Sequence, residues 1–400
     1  MANMFRQGTF SDEALQQAID EHYVTVRKHP DWPLYIYNYT AKAAYDDFWN
    51  EVTVNCRGLI CNEAGRVLAR PFKKFFWTNH YPPESSIFKR PYHVHKKYDG
   101  SLGIAYKPHS DSRPMIATRG SFESDQAVKA TQILWDKYPD FDIRENMTYL
   151  FEIIYPQNRV VLNYGDTEDL VLLDVVGTLS GHSYLFSQSP ESAGNFFGWP
   201  GPIAERIDVD ENMSPHDVLS LANPDGSEEG FVLAFVNEDS TLTRMKVKTE
   251  EYCRLHYEKY SLSNIIIWDQ LRTGKPINEI IGECPDEYYG WVKGIVAAIR
   301  SEYTTIFNEA VEEFRSITDK VDPSDLSGAN RKLFAEHAKQ CKHQHLLFAM
   351  FDGNQEAVDN MIYKRIRPVH EPAYIVIEEG EAQPSWDNLS VNAETPTVAV

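Results

Sequence analysis

Positive charge is scarce in this sequence: 39 Lys and Arg stand against 59 Asp and Glu over 400 residues, for a formal net charge of −20. Nucleic acid is repelled by such a surface overall, so any bound strand needs a local basic cleft. Long apolar runs are also missing. Ile265-Ile266-Ile267-Trp268 is among the longest, far short of the roughly 20 residues that span a bilayer. No secretory leader is legible ahead of the amphipathic helix expected from Ser11, so a cytoplasmic protein with no membrane partner is expected. The five cysteines (Cys56, Cys61, Cys253, Cys284, Cys341) contain no C-x-x-C pair, which points to reduced thiols. Cys341-Lys342-His343-Gln344-His345 lacks a second ligand cluster and reads as a helix with two surface histidines rather than a metal site. Internal repeats and low-complexity tracts are absent.

What is present divides the chain into stretches of different character. Residues 53–248 carry short runs rich in β-branched and aromatic residues (VTVNCRGLIC, SLGIAYK, PMIATRG, TYLFEII, RVVLNYG, LVLLDVVG, EGFVLAFV, RMKVK). Gly, Pro, Asn and Asp clusters separate them, and helical patterns at 124–137 and 214–222 interrupt them. That mixture predicts an α+β fold on antiparallel sheets. After Thr249 the period changes to that of a helix, over 286–317 and 330–365. The expected division is residues 1–255, then a mostly α-helical C-terminal domain at 256–370 joined near 256–264, then a mobile acidic tail at 371–400.

The chemistry centres on Lys97-Tyr98-Asp99-Gly100-Ser101, a lysine entering a strand beside a glycine that lets backbone approach a phosphate. Alone, K-x-D-G is a weak signal, and a turn with a solvated lysine explains it as well. Glu152, inside the apolar run Tyr149–Ile154, is costly there unless a cation or metal meets it; a strand face turned to water is the alternative. Glu229-Gly230-Phe231-Val232 repeats the device. Lys246 and Lys248, two apart, share one strand face. Two ammonium groups side by side repel, so either an anion lies between them or the face is exposed. A nucleophile, two acids for a divalent cation and two phosphate-gripping lysines are what nucleotidyl transfer requires.

In this order the motifs resemble the covalent nucleotidyltransferase superfamily of ligases and capping enzymes, and within it the RNA ligase 1 family of bacteriophage tRNA-repair enzymes. The resemblance covers roughly residues 34–256. Besides KYDGS it rests on Tyr37-Asn38-Tyr39, Cys56-Arg57-Gly58, Arg70-Pro71 with Lys74-Phe75-Phe76, Gly120-Ser121, Phe151-Glu152, Pro156 with Asn158-Arg159-Val160-Val161-Leu162, Glu229-Gly230, and Lys246-x-Lys248 with Tyr252.

The resemblance implies an ATP-grasp-like ligase domain in which Lys97 becomes adenylated. It implies that Asp99, beside Gly100, helps place the ribose and metal waters. Tyr37, Arg57 and Lys74 match positions that hold the triphosphate or build the ATP pocket, with Arg57 and Lys74 orienting pyrophosphate. Arg119 stands where the family has lysine. Glu152 would serve nucleotide and metal, Glu229 the metal, and Val232 the adenine or simply the core. Lys246 and Lys248 would grip the α-phosphate, supported by Tyr252. The implied cofactors are ATP and Mg²⁺, with Mn²⁺ as a substitute.

The implied partner is RNA with 5′-phosphate and 3′-hydroxyl ends, tRNA among the candidates, acted on by a monomer. Two features depart from the pattern. Trp77 follows Phe75-Phe76 where Asn is expected, although Asn79 is close, and the text after Asn264 aligns poorly, with Asp269 matching a possible metal ligand only by rough position. Two other readings stay open: a DNA ligase or capping guanylyltransferase of the same chemistry, and a non-catalytic RNA-binding protein with a degenerate ligase domain.

Overall fold

A computed structural model describes residues 10–185, 196–210, 213–223, 227–239, 241–260, 262–282, 284, 288–322 and 327–370. The expected tail at 371–400 lies outside them. Among the described residues thirteen strands form three sheets. The first joins β1 (Val24–Lys28), β2 (Leu34–Tyr39), β3 (Arg57–Asn62) and β4 (Val67–Ala69). The second runs β10 (Asp169–Gly177), β9 (Met147–Ile154), β7 (Ser101–Tyr106), β8 (Met115–Ala117). The third runs β11 (Arg206–Ile207), β6 (Tyr92–Lys96), β12 (Gly230–Val236), β13 (Leu242–Lys248), β5 (Phe76–Trp77). Every pairing is antiparallel except β5 with β13.

Alternating side chains stack the sheets. Leu34, Ile36 and Ile60 of the first sheet bury against Ile104, Tyr106 and Leu150 of the second. The first sheet's other face, with Tyr37 and Leu59, is closed by helices α1 (Asp12–Asp20) and α3 (Glu51–Asn55), after which α2 (Ala41–Tyr45) is the remaining short helix of this region. The far face of the second sheet takes the apolar stripe of α4 (Asp125–Lys137), whose Ser124 hydroxyl caps the Ala127 amide. In the third sheet Phe231, Leu233, Phe235, Met245 and Val247 face a core of their own. By the two-residue period, His95, Val232, Lys246 and Lys248 therefore face the opposite way.

Three local expectations fail. The β-branched run Val52-Thr53-Val54 is helical (α3), because Asn50 caps it: its side-chain oxygen accepts from the Val52 and Thr53 amides while the Thr53 hydroxyl receives the Asn50 amide. Residues 214–222 yield only the short 3₁₀ turn Val218–Leu221. RVVLNYG, at 159–165, pairs with no strand, since its amides serve a carboxylate described below.

Beyond β13 the described elements are all helices: α5 (Glu250–Tyr260), α6 (Asn264–Arg272), α7 (Ile277–Gly282), α8 (Tyr289–Thr318), α9 (Gly328–Ala338), α10 (Gln344–Phe351) and α11 (Gln355–Arg365). Helices α6 to α11 share one core, built on Ile267, Val292, Val296, Phe334, Leu347 and Ile362. Ala41 and Tyr45 of α2 pack against it, and the Tyr288 hydroxyl donates to the Cys253 carbonyl at 2.7 Å. Helix α5 runs straight through the boundary expected at 255/256. His343 is a correction: it is fully buried rather than on the surface, its Nε2 2.8 Å from Glu309 and its Nδ1 3.0 Å from Arg365, while His345 is exposed. No described helix is long and apolar enough to cross a membrane.

Candidate active site at the crossing between two sheets

The chain leaves the third sheet at Lys96, the end of β6, and enters the second at Ser101, the start of β7. Lys97 to Gly100 are the crossing. The Lys97 amide extends the β6–β12 ladder by donating to the Gly230 carbonyl at 2.9 Å. This anchors the nucleophile candidate beside the Glu229-Gly230 turn that opens β12. Gly230 has φ +141°, and a Cβ there would lie 2.2 Å from the Val247 carbonyl oxygen, so only glycine allows that approach.

Lys97 Nζ lies 2.7 Å from Glu229 Oε2, and Lys248 Nζ lies 3.4 Å from Glu229 Oε1. Glu229 is buried and Lys97 about a quarter exposed, at 3% and 23% of their side-chain surfaces. The Lys97 approach is an ion pair rather than an aligned hydrogen bond, which leaves Oε2 without a hydrogen-bond partner. Next door, Lys96 pairs with Glu228 at 3.2 Å.

Glu152, on β9, accepts the Gly100 amide at 3.0 Å. Burial pushes its carboxyl up to about 8; Lys97 opposes that shift, while Glu229 and Asp99 add to it. Lys97, Glu229 and Asp99 thus all act on Glu152.

Asp99 is a clasp. Its Oδ2 accepts the Val161 and Leu162 amides at 2.8 and 2.7 Å, and its Oδ1 accepts the Tyr252 hydroxyl at 2.7 Å. The Asp99 amide donates to the Tyr164 hydroxyl at 2.9 Å. The RVVLNYG segment is bound to the crossing loop in place of a neighbouring strand. Asn158, before it, accepts from the Ser101 hydroxyl and donates to the Ile153 carbonyl. These residues line a pocket of about 220 Å³ on Asp99, Pro156, Asn158, Arg159 and Tyr164.

The other predicted residues divide. Lys246 and Lys248 point to the cleft side of β13 together, with Val232 paired to Lys246 and to His95 across the neighbouring strands. The Tyr252 ring lies 4.9 Å from the Lys248 ammonium. Arg57 is crowded by the Phe75 ring at 5.5 Å and has a buried Nη1 without a hydrogen-bond partner; burial lowers its pKa. Arg119 donates to the Tyr39 hydroxyl at 3.2 Å. Lys74 sits among Trp49, Phe76 and Tyr39, at 4.8, 5.3 and 5.9 Å from their ring centres.

Tyr37 is a correction. It is buried on the α1/α3 side of the first sheet, and Tyr39, two residues on, is the tyrosine that meets the three cations. Two apart on one strand they would share a face, but the register of β2 with β3 shifts between Tyr37 and Asn38, an irregularity the sequence does not show. Asp269 pairs with Arg272 on an exposed helix surface at 2.8 Å, far in character from a metal ligand. His95 was not singled out from sequence; buried on the cleft-side face of β6, it is held neutral, its pKa lowered to about 3 first by burial and then by Arg244 and Arg206.

A divalent cation fits the acids present. Burial raises the Glu152 carboxyl, with Glu229 and Asp99 adding to the shift, and a cation there would favour its ionised form. No group of three or more His, Cys, Asp or Glu that could hold a metal ion occurs among the described residues.

The chain is similar to known proteins over the stretch that carries these residues. Residues 55–252 match a family profile described as RNA ligase. An RNA ligase of Rhodothermus phage RM378 is 23% identical over 383 residues, covering 81% of this chain and 86% of that protein. Among solved structures, an archaeal ATP-dependent RNA ligase aligns at 12% identity over 84% of this chain and 88% of that one, with a TM-score of 0.44. A Naegleria gruberi RNA ligase with ATP and Mn aligns at 17% identity over 42% of this chain, which spans about half (51%) of that one, with a TM-score of 0.32.

Proposed function

Because residues 55–252 match a family profile described as RNA ligase, we propose that this protein is an ATP-dependent RNA ligase of the RNA ligase 1 type working through a covalent Lys97–AMP. The observation that carries this is the placement of Lys97 at the sheet crossing, in ion-pair contact with Glu229 and next to Glu152 and Lys248.

Three displacements follow on one site. First, the neutral Lys97 Nζ attacks the α-phosphorus of ATP. A phosphorus–nitrogen bond forms, the bond from the α-phosphorus to the bridging oxygen of the β-phosphate breaks, and pyrophosphate leaves. Second, a 5′-phosphate oxygen of RNA attacks the same phosphorus and releases Lys97, giving a 5′-5′ pyrophosphate end. Third, a 3′-hydroxyl loses its proton and attacks the RNA 5′-phosphorus; AMP departs and a 3′-5′ phosphodiester remains. All three need in-line geometry and charge neutralisation, so one set of groups serves throughout.

The roles assigned are these. Lys246 and Lys248 take the α-phosphate, and Arg57 and Lys74, with Arg119 nearby, take the outgoing pyrophosphate. Asp99 acts by fixing the loop that carries Lys97, supported by Tyr252, while Gly100 brings the backbone to Glu152. Val232 lies under the adenine. Glu152 and Glu229 would hold Mg²⁺, with Mn²⁺ as a substitute, and the ion would neutralise charge on the transferring phosphate. The RNA substrate carries 5′-phosphate and 3′-hydroxyl ends, with broken tRNA among the candidates. The helical region at 256–370 is assigned to substrate choice, the enzyme is taken as a monomer, and its five cysteines, none in a disulfide, suit the cytoplasm.

A DNA ligase or capping enzyme carries a β-barrel after the lysine pair, whereas the described elements after Lys248 here are helices, which favours RNA joining. The deciding experiment is intact mass after incubation with ATP and Mg²⁺. One added AMP on the wild type and none on Lys97→Ala is expected. An adduct retained by Lys97→Ala would overturn the assignment, and one formed only with GTP would turn it toward capping.

A further inference from the structure

Trp77 is the residue that departs from the family pattern, and it lies under both phosphate-gripping lysines. Strand β5 pairs with β13 in parallel, with Trp77 opposite Lys246. The Lys246 ammonium is 5.0 Å from the indole centre and the Lys248 ammonium 5.8 Å. Trp77 is only half-buried and belongs to none of the described apolar cores, so filling a core does not account for it.

Two ammonium groups on one strand face repel, and nothing in β13 itself brings them together. The negative face of one indole within about 6 Å of both is attractive to each, most of all where water is thinned out. Glu229 restrains Lys248 from the other side at 3.4 Å, and the Tyr252 ring closes on it at 4.9 Å. Trp77 is the shared floor, and the only one of these groups whose ring reaches Lys246.

We infer that Trp77 is a positioning residue for the proposed nucleotidyl transfer, holding Lys246 and Lys248 side by side over its ring so that both ammonium groups meet the α-phosphate without first reorganising. An asparagine at this position has no ring to offer. The inference rests on the ligase reading and deepens it, because it names a group that touches neither ATP nor Lys97 and acts through the two lysines.

The test is single-turnover adenylation of wild type, Trp77→Phe, Trp77→Leu and Lys246→Met, each with and without the Trp77 change, across ATP concentrations with Mg²⁺. Trp77→Leu should slow the rate at saturating ATP by about tenfold and leave half-saturating ATP within about twofold. Trp77→Phe should recover most of that loss, since its ring keeps a weaker negative face. In the Lys246→Met background the cost of Trp77→Leu should shrink to about threefold, since only Lys248 remains to be held. Equal slowing by Phe and Leu, or an undiminished cost without Lys246, overturns the inference.

Should Trp77→Leu fail to fold, ATP titrated without metal gives a second measure. Wild-type tryptophan emission should change as the lysines turn from the ring to phosphate, and Trp77→Phe should lack that change; an identical response in both overturns it. A wild type that takes up no AMP defeats the ligase reading itself, whereas a wild type that adenylates no faster than Trp77→Leu defeats this inference alone.

Discussion

Glu152 carries the sharpest tension in the molecule. It interrupts a run of apolar side chains on β9, and its neighbours of like charge, Glu229 and Asp99, outnumber Lys97. Unfolded, it ionises near the ordinary 4.5; folded, near about 8. The folded chain therefore prefers the proton. The stability this contributes is complete below the unfolded value and is lost as pH rises through the folded one. In protein free of ATP and metal, Glu152→Gln, which cannot ionise, should match the wild type at acid pH and exceed it increasingly from about pH 5 to pH 8. Urea midpoints across that range measure this, and a difference that does not vary with pH counts against the buried-carboxyl account. The same residue scale explains Tyr37 and Tyr39: a register shift between Tyr37 and Asn38 breaks the alternation of β2, leaving Tyr37 in a core and Tyr39 beside Lys74 and Arg119.

At the scale of the element, the turn into β12 matters most. A methyl group at Gly230 would meet the Val247 carbonyl at 2.2 Å and Lys248 Cα at 2.7 Å, both rigid backbone, on a residue with φ +141°. Gly230→Ala should therefore part the β12–β13 ladder next to Glu229 and Lys248. A loss of about 1–3 kcal/mol is expected, together with slower adenylation, since the Lys97 amide bonds to the Gly230 carbonyl. Thermal denaturation checks this, and an unchanged midpoint would show that the turn has room. Elements also account for the sequence patterns that misled. Val52-Thr53-Val54 has strand composition, but the Asn50 cap offers its amides a better arrangement. The amides of Val161 and Leu162 find a carboxylate rather than a strand, and a charged acceptor makes the stronger hydrogen bond.

For the molecule as a whole, the question is what holds the third sheet, which anchors Lys97, Lys246 and Lys248, against the second, which carries Glu152. One answer is a buried ion pair. Arg244 on β13 reaches Asp174 on β10 at 2.5 Å, with the Ser183 hydroxyl and the Val175 and Leu185 amides also on that carboxylate. Phe72 lies 4.6 Å from the guanidinium. Asp174→Ala strands the arginine and should cost about 3–5 kcal/mol, whereas Asp174→Leu with Arg244→Met should recover part of that by removing both charges. Denaturant titration of the three proteins decides it; a single-change cost under about 1 kcal/mol would show that the sheets are held elsewhere. The net charge of −20 belongs to this scale too, because a strand can be held only where basic groups gather locally.

The sequence by itself determined the α+β class, the change to helices after Thr249, and the chemical types at the site: Lys97, Glu152, Glu229, Lys246 and Lys248 were legible because residue identity and two-residue spacing are local properties. The tertiary structure alone decided which of them meet. That Glu229 and not Glu152 pairs with Lys97, that the Asp99 Oδ2 accepts the amides at 161–162, that Tyr39 rather than Tyr37 lies beside Lys74 and Arg119, and that Trp77 lies under the lysine pair all depend on contacts between residues distant in sequence. Such contacts follow from how sheets stack and which face each strand turns inward, and a one-residue change of register reverses every one of those faces.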